Sequence, residues 1–218
     1  IDSTRILSAL SIELAKERGL SASYLSSQGG IAKEALHEQR VVSNKAIKEF
    51  HDFYQTHEVT TNIKAVIGYL TQVVEKRAAV DNFSIEFNKI FFDYYSQINT
   101  LILKELETLG SINSNSDISN LTYSLVTIYK NIEYLGQERG FVSKILSQYV
   151  PFSPNDLDIW IKIFSVSNIF DYTTINDPTI RFQIENLYKL PENIKLESEI
   201  TQVKADLITA AQSGEYLI

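Results

Sequence analysis

The chain has 218 residues, 44% of them hydrophobic, and a formal charge of −7. That is enough apolar material for one large core or two small ones. The acidic balance and the lack of a basic run argue against a nucleic-acid surface, so any anion site must be a local arrangement of a few cations. Cysteine is absent, which excludes disulfides and thiol chemistry.

The chain starts at Ile1 and contains no Met, as expected of a piece excised from a longer protein. No apolar run of about 18 residues and no signal peptide is present, so membrane helices of the parent are expected outside this sequence.

Only eight Gly and four Pro punctuate the chain, and apolar residues recur at helical spacing, which predicts an all-α fold. A first helix is expected over 3–28, ended by Gly29-Gly30, and a second over 31–57. A third, over 60–79, should break near Val80-Asp81-Asn82. A fourth, over 83–109, carries Phe83, Phe87, Ile90, Tyr94 and Leu101 on one face, with Gly110 as its stop. The polar stretch 111–119 is the best module boundary.

A fifth helix is expected over 118–149. Ser153-Pro154 and Asp177-Pro178 each read as an N-cap followed by proline at the first helical position. They open a sixth helix, 154–172, and a seventh. Pro191 precedes the last, 192–215. Eight helices with short connections predict antiparallel bundles, one over 1–110 and one over 117–218. An even number of antiparallel helices would bring both chain ends to one side, as suits a domain set between two membrane helices.

An internal repeat stands out. Residues 17–26, ERGLSASYLS, and 138–147, ERGFVSKILS, are identical at five of ten positions at an offset of 121. In the first copy, Arg18 falls on the apolar stripe of Leu14, Ser21 and Leu25. In the second, Arg139 falls among Ile128, Ile132, Leu135, Val142 and Leu146. A guanidinium stays charged, and burying it alone is costly. Each arginine therefore lays its stem on the surface with its head in water, pairs with a buried Glu, or binds an anion. Gly19 and Gly140 follow directly and would let a ligand approach the backbone.

These residues resemble the NIT family, bacterial nitrate- and nitrite-sensing domains. Its first signature resembles Leu-x-x-Glu-Arg-Gly-x-Ser-x-x-Tyr-Leu, met at Leu14, Glu17, Arg18, Gly19, Ser21, Tyr24 and Leu25. Gln39-Arg40 resembles a later Gln-Arg pair. Glu133, Gly136, Glu138 and Arg139 resemble the second signature, and Phe152-Ser153 the segment after it. Gly140 stands where the family more often has Ala, and Asn44 where Asp is common.

The resemblance implies two up-and-down four-helix bundles forming one sensor domain. It also implies nitrate or nitrite held by Arg18 and Arg139, and an output domain elsewhere in the parent. Gly19, Ser21, Tyr24, Gly140 and Arg40 are possible supporting residues, although for Arg40 a salt bridge to a glutamate of the first helix is preferred. No metal, cofactor or catalytic group is expected: the three histidines have no ligand spacing. The expected parent is a chemoreceptor or sensor kinase, a homodimer with this domain in the periplasm, with a cytoplasmic regulator as the alternative. The competing reading is a ligand-free helical spacer or dimerisation module held by Arg–Glu salt bridges.

Overall fold

The computed structural model describes residues 2–112, 115–148, 151–167 and 170–214. Among these the chain is all-α, as the sequence predicts. It forms two compact units, residues 1–114 and 115–218.

Unit 1 is built around α1 (Asp2–Ser26), whose partners are α2 (Lys33–Tyr54), α4 (Val73–Asp81), α5 (Phe87–Ile90), a π-helical turn at Phe91–Ser96, and α6 (Gln97–Ile112). The remaining helix, α3 (Thr61–Leu70), packs on α6. Leu7, Leu10 and Leu14 are fully buried with Phe50, Ile63, Val66, Ile98 and Ile102. Burying each such side chain contributes about 1.5–3 kcal/mol.

The local signals explain most boundaries. After α1 the chain turns at Gly29, with φ +84°, and its N–H donates to the Tyr24 carbonyl at 2.8 Å. A Cβ at Gly29 would lie 3.2 Å from the Phe83 ring and 3.5 Å from the Tyr24 ring. Thr60 caps α3 by accepting from the Ile63 N–H.

Three expectations need correcting. The third predicted helix divides at Thr71–Gln72 into α3 and α4, where the chain takes a turn. Phe83 is not helical: it has φ +53° and stacks its ring on Tyr24 at 5.3 Å. Gly110 does not stop its helix but lies buried within α6, which runs on to Ile112. No glycine there takes positive φ, so the residue serves packing rather than termination.

Unit 2 comprises α7 (Ser116–Ser147), α8 (Pro154–Ser167), a 3-10 turn (Tyr172–Thr174), α9 (Pro178–Tyr188) and α10 (Pro191–Ser213). Asn115 caps α7 through its side-chain oxygen, and Asp177 caps α9 in the same way. Ser153 Oγ accepts from the Asp156 N–H at 3.1 Å, closing the first turn of α8. Trp160 is buried, its ring 5.2 Å from Phe152 and 6.0 Å from Phe164.

The turn after α1 gives a direct check on this geometry. Gly29→Ala forces a Cβ into the left-handed region and against Phe83. It should lower unfolding stability by about 1 kcal/mol or more, read from chemical denaturation.

Candidate functional site

On α1 the residues Leu7, Leu10, Leu14, Glu17 and Ser21 follow each other at spacings of 3, 4, 3 and 4, and all five are buried. Arg18 lies beside that stripe and is also buried, at 1% exposure. The helix thus carries an adjacent anion and cation into the core of unit 1. Each needs its own compensation there.

Glu17 receives three donors. Arg77 of α4 reaches it through both Nε and Nη2, at 2.7 and 2.8 Å, in a bidentate pair. The Tyr95 hydroxyl donates at 2.7 Å. Arg40 Nε stands 3.9 Å away, while its Nη1 donates to Asp81 at 2.8 Å. Arg40 therefore joins this salt-bridge network. Asn44 accepts from Arg77 Nη1 at 2.6 Å, so the amide at a position where the family often has Asp still orients the guanidinium.

The electrostatics follow from these contacts. Burial alone would raise the Glu17 pKa, but the hydrogen bonds and charge of Arg77, helped by Ser43 and Tyr95, bring it below the ordinary 4.5. Tyr95 is pushed well above the ordinary phenol value by burial and by the Glu17 charge, and so remains a donor.

Arg18 is held differently. Its Nη1 donates to Ser96 Oγ at 2.8 Å, and its guanidinium carbon lies 4.9 Å from the centre of the Phe91 ring. Both partners sit in the π-helical turn. Ser96 Oγ in turn donates to the Phe91 carbonyl at 2.7 Å. A π turn is a common device at functional sites; here it presents a hydroxyl and an aromatic face to one cation. Ser21, one turn further along α1, is fully buried beside the Tyr95 hydroxyl. Tyr24 stacks on Phe83, and a Cβ added at Gly19 would meet nothing within 4 Å.

The second copy of the repeat is arranged otherwise. Arg139 is exposed, which corrects the inward position that periodicity assigns it. Ile132 and Leu135, its neighbours on the stripe, are 54% and 42% exposed. The buried face of α7 instead carries Val126, Glu133, Glu138, Gly140, Phe141 and Ile145. Among the described residues no hydrogen bond or ion pair is made by Arg139. Glu138 is buried like Glu17, and its Oε2 accepts from Ser167 at 2.7 Å and from Lys204 of α10 at 2.9 Å.

The family model for nitrate and nitrite sensing, NIT, matches residues 9–185. The chain belongs to the NIT family. A solved structure described as that of the NasR transcription antiterminator is similar to this NIT domain over 81% of its length, at 18% identity and a TM-score of 0.67. That likeness is one of fold. The NIT chain spans about half of that structure's chain, 50%. No curated protein matches it.

Sequence reading singled out Arg18 but missed Arg77, Tyr95, Ser96 and Lys204. One signal was present for Arg77: Glu17 continues the spacing of Leu7, Leu10 and Leu14, so a buried carboxylate required a cation from another helix. Nothing in the sequence marks the π turn that brings Ser96 to Arg18. Among the described residues no group of three His, Asp or Glu side chains is arranged to hold a metal.

Removing one partner of the Glu17–Arg77 pair leaves a buried charge alone. Arg77→Ala should therefore cost about 3–5 kcal/mol of unfolding free energy in urea. The pH dependence has a defined sign. The Glu17 pKa is lower folded than unfolded, so its stabilisation is complete above 4.5 and is lost as pH falls through the depressed folded value. Glu17→Gln should flatten that acid limb of the stability curve.

Proposed function

We propose that this domain senses nitrate or nitrite, with Arg18 and Arg139 as its ligand-binding residues, and relays the signal to an output domain. The observation that carries the proposal is the burial of Arg18, the arginine of the first motif, in the core of unit 1. A guanidinium kept in the core against Phe91 and Ser96 suits a planar, monovalent, weakly hydrated anion, because two parallel N–H donors meet two oxygens in one plane. Arg139 brings a second guanidinium from the matching motif. Two like charges around one site repel, and the anion relieves that repulsion.

The role is that of a sensor rather than an enzyme. Both units act as one domain. Among the described residues no helix is long and apolar enough to cross a membrane. The parent is a homodimeric chemoreceptor or sensor kinase with this domain outside the cytoplasm. The likeness to the NasR antiterminator structure favours a second reading of the parent, as a cytoplasmic regulator of transcription with the same ligand. Both readings share the binding step. They differ in the output domain, so the flanking sequence decides between them.

The binding step is tested by calorimetric titration of nitrate, nitrite and chloride. Nitrate or nitrite should bind more tightly than chloride. Arg18→Ala and Arg139→Ala should each weaken binding by about tenfold or more, since a charge-assisted hydrogen bond is worth about 1.5–3 kcal/mol. Absence of heat with every oxyanion contradicts the sensing role. Unchanged affinity in either variant removes that arginine from the site.

A further inference from the structure

The two copies of the repeat share a device that the family signature does not describe. In each, the glutamate before the arginine is buried and clamped by a cation from a helix later in the same unit. In unit 1 the clamp is Arg77 of α4 on Glu17. In unit 2 it is Lys204 of α10 on Glu138. Residue 204 lies beyond the family match, which ends at 185.

Lys204 sits at a junction of three helices. Its Nζ donates to Glu138 Oε2 of α7 at 2.9 Å and lies 5.2 Å from the Phe164 ring of α8. Ser167, the last residue of α8, donates to the same carboxylate oxygen. Glu138 Oε1 is buried and has no hydrogen-bond partner. The buried carboxylate therefore depends on few donors, and one of them comes from α10. Of the residues of α10, only Leu207 and Ala210 are buried. Leu196, Ile200 and Val203 are 52%, 46% and 53% exposed.

We infer that the Glu138–Lys204 pair is the link by which an anion at Arg139 acts on α10. The inference rests on the anion-sensing reading above. Arg139 is the next residue to Glu138 on one rigid helix. A displacement or rotation of α7 that brings Arg139 onto an anion necessarily moves the Glu138 carboxylate. Lys204 cannot leave that carboxylate without stranding a buried charge. The helix that carries Lys204, α10, follows. Arg77 is the corresponding anchor in unit 1, where it ties Glu17 to α4.

The absence of cysteine makes the test clean. Ser198, exposed on α10, is changed to Cys and labelled with an environment-sensitive fluorophore, and nitrate is titrated while calorimetry reports binding. The labelled chain should change its emission with the calorimetric affinity. Lys204→Arg should retain the change. Lys204→Met leaves Glu138 without its cation and can unfold the unit, so Glu138→Gln with Lys204→Met removes both charges together. That double variant should still bind nitrate, within roughly threefold, yet lose most of the emission change. A full emission change in the double variant overturns the inference. So does a silent label on a chain that binds nitrate, or a double variant that no longer binds it. A native chain that gives no heat with nitrate refutes the sensing reading itself, and the link falls with it.

Discussion

The arrangement of unit 1 depends on one buried ion pair. Glu17 points into the core from the central helix and would be prohibitive there without compensation. Arg77 supplies two parallel hydrogen bonds and Tyr95 a third. These contacts fix α1 against α4 and against the π turn in a single register. The adjacent arginine is buried against Phe91 and Ser96.

The same logic separates the two units. In unit 1 the motif turns both its glutamate and its arginine inward, because α1 is covered on several sides. In unit 2, α7 leaves Ile132 and Leu135 exposed. Glu138 takes the buried place and Arg139 is left at the surface. Identical residues thus meet different surroundings: a preorganised cation in one unit, an accessible one in the other. A ligand that binds one arrangement better than another shifts the balance between them by that difference in affinity.

Much of this was legible in the sequence. Helical periodicity and the caps at Ser153 and Asp177 located most helices, and the stripe through Leu14 and Ser21 placed Arg18 inside. The repeat identified both motifs. The same periodicity failed for Arg139, because an apolar stripe states which side a helix would bury if something covered it, not that this unit covers it. Gly110 misled for a related reason: a small residue serves close packing as readily as termination. Arg77, Ser96 and Lys204 lie far from the motifs in the chain. Only the fold brings them to Glu17, Arg18 and Glu138, and the π turn shifts the helical register in a way that no composition signal marks.

The central claim is that both arginines contact the same anion. The most direct measurement is a side-chain NMR titration of the arginine N–H signals with nitrate, with Arg18 and Arg139 assigned by Lys substitution. The account predicts that both guanidinium signals shift, with one common affinity that matches calorimetry. A shift of one signal alone, or two shifts with unrelated affinities, would contradict it.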